Sequence, residues 1–188
     1  LVVGANGLQV GSVRHAGGVV VLPATKKGLS LKEQVITQSS RGVPGKPERY
    51  DQFGYTVASA DFDHDGYADL AIGAPSEVIG DDPDIRPVGT VTVVYGSRTG
   101  LDTRRSTTVL RPGSEGLGST LAVGDLTGDG YPDLVAGAPF EDTVEDPIAS
   151  GVVRVLPGGP KGVTTTGEVV LRGRRTAQGS DQAFGQHL

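Results

Sequence analysis

Residues 61–75 are DFDHDGYADLAIGAP, and residues 125–139 are DLTGDGYPDLVAGAP. The two stretches begin 64 positions apart, and each has an acidic loop, then an apolar run, then a Gly-Ala-Pro bend. A motif that returns at such a spacing indicates a repeat architecture, in which each copy is one supersecondary unit. We therefore expect a fold built from stacked copies of one unit.

Matching features flank both stretches and extend the repeat. A Phe-Gly or Leu-Gly pair precedes each loop, and a Gly-x-Val-x-Val run follows it: Phe53-Gly54 with 89–95, and Leu117-Gly118 with 151–156. Partial copies lie at 1–6 with 18–22, and at Phe184-Gly185. The pattern predicts that the repeats continue beyond both ends of the chain.

Short apolar runs bounded by Gly, Pro or Asp are typical of strands. The 30 glycines and 12 prolines indicate many tight turns. We predict four strands per unit, at 54–60, 70–74, 90–95 and 107–110 in one copy and at 119–124, 134–138, 152–156 and 168–171 in the next. The first partial copy supplies strands at 1–5, 19–22 and 34–37.

The predicted class is all-β, a β-propeller segment of four-stranded antiparallel blades with about three repeats present. Such a unit cannot bury both of its faces alone, so it must stack on copies of itself. The predicted units are 1–38 (the C-terminal part of a first blade), 39–110, 111–172 and 173–188 (the start of a following blade). A propeller needs at least about four blades, so we expect either a longer protein or self-association of fragments.

The acidity of the chain is local. Asp outnumbers Glu by 15 to 7, and seven of the Asp residues lie within 61–69 and 125–133, in a chain of net charge −5. A basic face for nucleic acid is not expected, and no apolar run is long enough to span a membrane. The absence of cysteine excludes thiolate metal sites. Arg outnumbers Lys by 12 to 5, which favours a bacterial source.

The two acidic loops have the spacing of a calcium site. Carboxylates at alternate positions of a curled loop converge on one point, and Ca²⁺ prefers six to eight hard oxygen ligands. Gly66 permits the sharp turn. We predict two sites, with residue seven of each loop offering its backbone carbonyl: Asp61, Asp63, Asp65, Tyr67 and Asp69 in the first, and Asp125, Thr127, Asp129, Tyr131 and Asp133 in the second.

Neither an EF-hand nor a metal-free turn accounts for the two loops as well. An EF-hand requires Glu at position twelve, between helices, whereas Ile72 and Ala136 stand there within predicted strands. Solvated Asp/Gly turns are the remaining alternative, but two matches in register favour metal binding. Mg²⁺ suits the loops less, because it demands near-ideal octahedral geometry. Thr127 replaces a carboxylate, so the second site is expected to bind more weakly.

Taken together, the Phe-Gly pair, the Asp-rich loop, the Gly-Ala-Pro bend and the Gly-x-Val-x-Val run resemble the FG-GAP repeats of integrin alpha-chain propellers and related bacterial proteins. Leu117 departs from the Phe of the motif, and Asn6 stands where the family has Pro. The resemblance implies a propeller, usually of seven blades, with calcium loops on one face. It implies a partner-binding surface on the opposite face, from the loops 76–88 and 140–150 and the blade-joining stretches 39–52, 111–116 and 173–181.

Binding is favoured over catalysis. The histidines His15, His64 and His187 neighbour no Gly-x-Ser-x-Gly nucleophile elbow. Paired carboxylates could serve glycoside hydrolysis, but the candidates recur at equivalent places in two loops, which suggests repeated surface chemistry: Glu77, Asp81, Asp82, Asp84, Glu141, Asp142, Glu145 and Asp146. The alternative is the propeller part of a secreted hydrolase.

The expected setting follows from the expected metal. Loops of this kind would fill at the calcium levels found outside cells and stay largely empty at resting cytosolic levels. We therefore predict a secreted or cell-surface recognition and adhesion module whose partner is an extracellular protein or glycan. The alternative for the loops of the partner-binding surface is that they are ordinary solvated connections.

Overall fold

The computed structural model describes residues 1–78, 87–110, 113–141, 151–173, 175–176, 179–180 and 184–188. Its elements are all strands: β1 Val2–Gly4, β2 Val19–Val21, β3 Ala24–Thr25, β4 Gly28–Leu29, β5 Gln34–Ile36, β6 Thr56–Ala60, β7 Asp69–Ala74, β8 Thr90–Val94, β9 Ser106–Leu110, β10 Thr120–Gly124, β11 Asp133–Ala138, β12 Val152–Leu156, β13 Val169–Arg172, β14 Arg175–Thr176 and β15 Gly179–Ser180. No helix in this part of the chain is long and apolar enough to cross a bilayer.

The strands form antiparallel sheets that follow the repeat. Strands β6–β9 make one four-stranded sheet in chain order, and β10–β13 make the next. The first sheet has the order β1-β2-β5. This confirms the predicted all-β class and its four-stranded blades, and each predicted strand is present within one or two residues of its expected bounds. The predicted unit boundaries remain predictions.

Two short hairpins were not predicted from the sequence. Strand β3 pairs with β4, and β14 pairs with β15. Strands of two residues leave no apolar alternation to detect, so periodicity cannot find them. Much of the predicted partner-binding surface, at 79–86, 111–112, 142–150, 174, 177–178 and 181, lies outside the described residues.

The inner strands of the two four-stranded sheets are buried on both faces. Every residue of β7, β8, β11 and β12 is buried. Along β7 the side chains alternate between two cores: Leu70 and Ile72 join Val19 of the preceding repeat and Phe53 of their own, whereas Ala71 faces a core with Leu134. This alternation is what stacked blades require.

The Phe-Gly and Gly-Ala-Pro motifs meet at the junction of neighbouring sheets. Gly54 and Gly118 have φ angles of 85° and 88°, a left-handed conformation that favours glycine. A Cβ on Gly73 of the first full repeat would come within 2.2 Å of the Gly118 carbonyl oxygen in the next repeat. Side chains are excluded there because backbone packs on backbone, so the motif marks the contact between blades.

The strand register makes the two full repeats directly comparable. Ile72 pairs with Thr92, and its counterpart Ala136 pairs with Arg154. Thr92 is therefore the equivalent of Arg154. In the outer strands, Val93 pairs with Thr107, and Val155 pairs with Val169. Arg105 precedes Thr107 by two residues and Gly167 precedes Val169 by two, so Arg105 and Gly167 are equivalent.

Candidate metal centre

The first acidic loop connects β6 to β7 at one end of the sheet. Carboxylate oxygens of Asp61, Asp63 and Asp65 lie within 4.8 Å of one another. Three carboxylates this close repel one another unless a cation neutralises them. The alternate spacing in the sequence thus converges in space as predicted for these three residues.

Backbone N–H groups hold the loop in its curled form. The N–H groups of Asp65 and Gly66 donate to the two oxygens of Asp61, at 3.0 and 2.9 Å. The Tyr67 N–H donates to Asp65 Oδ1 at 3.0 Å. Gly66 has a φ of 87°, and His64 also adopts a left-handed φ of 55°, so the turn depends on residues that tolerate this conformation.

Asp69, the last predicted ligand, lies outside the group of three carboxylates. It is fully buried at the start of β7. Its oxygens accept hydrogen bonds from the Phe62 N–H at 2.8 Å and the Gly96 N–H at 2.7 Å. Asp69 thereby ties the loop to the turn that follows β8. A carboxylate oxygen has a second lone pair, so these bonds do not prevent Asp69 from binding a metal.

Burial raises the pKa of Asp69 to about 6. The hydrogen bonds from the Gly96 and Phe62 N–H groups oppose this shift, while the charges of Asp63 and Asp65 add to it. Desolvation disfavours the ionised carboxyl group, and a nearby divalent cation would favour it.

An arginine from the stretch before β9 contacts the first loop. The Arg105 guanidinium contacts Asp63 Oδ2 through Nη2 at 3.0 Å and Asp65 Oδ2 through Nη1 at 3.2 Å. It also donates to the Gly96 carbonyl oxygen at 2.8 Å. Arg105 thus supplies one positive charge to the carboxylates that would hold a metal, an interaction that the sequence did not predict.

The second loop, between β10 and β11, has a similar set of hydrogen bonds and fewer charges. Asp125 accepts from the N–H groups of Gly128 and Gly130, at 2.8 and 3.1 Å. The Tyr131 N–H donates to Asp129 Oδ1 at 2.9 Å. Gly167 occupies the position of Arg105, so the second loop lacks the equivalent guanidinium.

Asp133 repeats the role of Asp69 in the second loop. It is fully buried, and its carboxylate accepts from the N–H groups of Leu126 and Thr127, both at 2.8 Å, and from Gly158 at 3.1 Å. The Thr127 hydroxyl lies 3.4 Å from Asp133 Oδ1. Among the described residues, the three carboxylates of this loop, Asp125, Asp129 and Asp133, do not form a group within 4.8 Å as Asp61, Asp63 and Asp65 do.

The two loops touch across the boundary between sheets. The ring of His64, from the first loop, stacks on the ring of Tyr131, from the second, with centroids 4.4 Å apart and planes 24° from parallel. His64 therefore has a packing role between neighbouring loops. His15, another candidate base, stacks on Tyr50 at 5.3 Å, and His187 is exposed near the end of the chain.

The acidic residues considered for glycoside hydrolysis divide between different surroundings. Glu141 accepts a bidentate contact from Arg154 Nη2, at 2.7 and 2.9 Å, whereas Glu77 lies near Glu48 and Asp51. The other candidates, Asp81, Asp82, Asp84, Asp142, Glu145 and Asp146, lie outside the described residues. The repeated position of Glu77 and Glu141 in the sequence thus does not mean repeated chemistry.

The sequence motif of the FG-GAP repeat matches residues 53–94 and 117–156. These spans cover both Asp loops and the strands beside them. The chain belongs to the FG-GAP repeat family. The glycine contacts between neighbouring sheets are the structural counterpart of the two motifs in the family name.

Proteins of two kinds resemble this FG-GAP chain. Phosphatidylinositol-glycan-specific phospholipase D of Bos taurus is 35% identical over 142 residues, which cover 74% of the chain and 17% of the bovine protein. Integrin alpha-6 of Homo sapiens is 30% identical over 161 residues (85% and 13%), and integrin alpha-PS2 of Drosophila melanogaster is 31% identical over 133 residues (68% and 9%). The chain thus spans less than a fifth of the length of these relatives. The repeats and these similarities make it an integrin-like propeller module.

Proposed function

We propose that this chain is a calcium-stabilised propeller module that recognises an extracellular protein or glycan. The observation that carries the proposal is the convergence of Asp61, Asp63 and Asp65 within 4.8 Å at one end of the second sheet. All donors there are hard oxygens, the ligands that Ca²⁺ prefers. Asp69 and the Tyr67 carbonyl would complete the first site, and the second site would use Asp125, Thr127, Asp129, Tyr131 and Asp133.

The metal would act structurally in this proposal. Each loop connects the first two strands of its sheet, and its carboxylates accept several backbone N–H bonds. Calcium would neutralise the repulsion among the carboxylates and fix the turn. An ion that binds the folded chain and not the unfolded chain raises the free energy of unfolding by mass action.

Recognition is proposed for the opposite end of the sheets. A groove of about 400 Å³ lies there, and its lining includes Tyr55, Pro75, Pro87, Ser119 and Phe140. Tyr55 and Phe140 are about half exposed. Exposed aromatic side chains beside polar groups are the kind of surface that protein and glycan partners bind.

The proposed setting is secreted or cell-surface, where calcium is abundant enough to fill sites of this class. The relatives named as integrin alpha chains and as a phosphatidylinositol-glycan-specific phospholipase D support this proposal. The similarity to a phospholipase also supports the alternative, in which the module is the propeller part of a secreted hydrolase. In both versions the loops stabilise the fold and are not the catalytic site.

The test of the metal proposal is thermal unfolding with calcium, with magnesium, and with chelator. We expect calcium to raise the melting temperature by several degrees, with magnesium giving a smaller rise. Asp63→Asn and Asp129→Asn should each reduce the calcium response. Asp102→Asn is the matched control, because Asp102 contacts Arg104 and is not one of the predicted ligands. A melting temperature that is the same in calcium and in chelator would contradict the metal proposal.

The recognition proposal requires its own test. The calcium-loaded chain is applied to panels of glycans and of matrix proteins, beside the variants Tyr55→Ala and Phe140→Ala. Both substitutions should abolish a binding signal without changing the melting temperature. Binding that survives both substitutions would exclude the groove as the contact surface.

A further inference from the structure

A second group of carboxylates lies at the end of the sheets opposite the Asp loops. Oxygens of Glu48, Asp51 and Glu77 come within 4.8 Å of one another. Asp51 is 1% exposed and Glu77 is 6% exposed. Glu77 follows β7, whereas Glu48 and Asp51 lie in the stretch that joins the first sheet to the second. None of the three belongs to the predicted calcium loops.

Two buried polar atoms beside this group have no hydrogen-bond partner among the described residues. Gln38, from the end of the first sheet, donates from Nε2 to Glu77 Oε2 at 2.7 Å. Its Oε1 atom and Asp51 Oδ1 are the two unpartnered atoms. Buried acceptors without partners are rare in folded proteins because desolvating them costs free energy. Both atoms are oxygens, so the missing partner is a donor or a cation.

At the equivalent site of the next repeat, an arginine neutralises the glutamate. Glu141, the equivalent of Glu77, is bound by Arg154 and also accepts from the Ser114 hydroxyl. Arg154 has Thr92 as its equivalent in the second sheet, so no guanidinium reaches Glu77 from that strand position. The same backbone site is thus neutralised by an arginine in one repeat and lacks that arginine in the other.

Lys46 contributes a positive charge beside the carboxylates. Its Nζ lies 3.1 Å from Glu48 Oε1, and the Lys46 side chain is 65% exposed. One exposed ammonium group faces three carboxylates, two of them buried. Among the described residues, this exposed ammonium group offsets little of the negative charge, because an exposed ion pair is screened by water.

We propose that Glu48, Asp51, Glu77 and the Gln38 Oε1 atom form a third divalent-cation site, of the calcium type. All four donors are oxygens with no His or Cys among them, which disfavours zinc and copper. They come from the end of β5, from the joining stretch and from the segment after β7. A cation here would link the first sheet to the second at the end where recognition is proposed.

The surroundings of Glu77 and Asp51 disfavour their ionised forms, which a divalent cation would favour. Burial is the largest cause that raises the pKa of Glu77 to about 7, and the charge of Asp51 adds to the shift. Burial likewise raises the pKa of Asp51 to about 6. Asp51 lies between Tyr50 and Gln52, which both adopt left-handed backbone conformations, with φ angles of 75° and 59°. Such conformations persist where the surroundings enforce them.

The experiment counts bound calcium per chain by equilibrium dialysis near pH 7.5, with isothermal titration for affinity. The unmodified chain is compared with Glu77→Gln and with Thr92→Arg, which supplies the arginine that the next repeat uses. We expect each variant to bind one calcium fewer than the unmodified chain. Glu33→Gln, which removes an exposed carboxylate elsewhere, should leave the count unchanged.

The third site and the loop sites can fail independently. Asp63→Asn should remove a loop site and leave the calcium that depends on Glu77 in place. Equal calcium counts for the unmodified chain, Glu77→Gln and Thr92→Arg would overturn the third site, whatever happens at the loops. If Thr92→Arg does not fold, Glu77→Gln decides alone, because replacing a buried carboxylate with its neutral isostere should preserve the fold.

Discussion

The two full repeats share their backbone but place their arginines at opposite ends of the sheet. In the first, Arg105 contacts the Asp loop and Glu77 faces other carboxylates at the far end. In the second, Arg154 binds Glu141 at the far end, and Gly167 stands at the position from which Arg105 contacts the Asp loop. Each repeat thus has an arginine at one end of its sheet. We expect the stability of the other end to depend more on a bound metal ion.

Arg154→Met has the largest expected effect, because it removes the internal cation from a buried site. Arg154 and Glu141 are each about a tenth exposed, and Arg154 also contacts Glu168 at 3.2 Å. Removing one partner of a buried ion pair costs about 3–5 kcal/mol of unfolding free energy. Urea unfolding of the variant and the unmodified chain measures this loss.

The control replaces both members of the pair. The double variant with Arg154→Met and Glu141→Leu should recover more than half of the loss, because it leaves no unpaired buried charge. A loss below about 1 kcal/mol for Arg154→Met alone would mean that Glu141 finds another cation or becomes solvated. In that case the Glu141 site would not depend on its arginine, and it would resemble the Glu77 site of the preceding repeat.

The raised pKa of Glu77 predicts that the free energy of unfolding depends on pH, with an effect of intermediate size. Its pKa is about 7 in the folded chain against an ordinary 4.5, so the folded chain retains a proton that the unfolded chain has released. Between these values stability falls as pH rises. In chelator, we expect the free energy of unfolding to drop by about 2 kcal/mol from pH 4.5 to pH 7.

Glu77→Gln should flatten this pH slope, and urea unfolding at several pH values measures it. Asp51 and Glu48 face the same site and Lys46 contacts Glu48, so part of the slope belongs to the group as a whole. Calcium should reverse the trend, because the ionised group binds a cation more tightly. A slope that is identical in Glu77→Gln would assign the pH dependence to other carboxylates, such as Asp69.

Most of the fold was predictable because the repeat carries its information locally. Short apolar runs bounded by Gly, Pro or Asp predicted the strands, and the 64-residue repeat predicted the stacking of like units. The convergence of Asp61, Asp63 and Asp65 also followed from local spacing. These features depend on residues that are close in sequence, where periodicity and turn chemistry act.

The charge partners were not predictable in the same way. Arg105 lies 40 or more positions from the Asp residues that it contacts, and Gln38 lies 39 positions from Glu77. Such contacts depend on the register of neighbouring strands and on how the sheets stack. An alignment of the two repeats would have shown that Arg154 stands where the first repeat has Thr92. It would not have shown which side chains either residue contacts.

Arg105→Gln has the smallest expected effect and would make the first Asp loop resemble the second. The guanidinium contacts Asp63 and Asp65, which are also the proposed calcium ligands, so the two cations compete for the same oxygens. An exposed pair of this kind contributes about 0.2–1 kcal/mol. Removing it should tighten calcium binding at the first loop by about two- to fivefold, as measured by isothermal titration.

Arg104→Gln is the matched control for this experiment. Arg104 is the neighbouring residue, but it contacts Asp102 at 3.0 Å and not the loop. If both substitutions raised the affinity equally, the effect would come from the general loss of positive charge. If Arg105→Gln weakened calcium binding instead, the guanidinium would be organising the loop for the metal. Only a gain confined to Arg105→Gln fits an arginine that occupies the proposed calcium ligands, as Arg154 occupies the carboxylate of Glu141 at the other end of the next repeat.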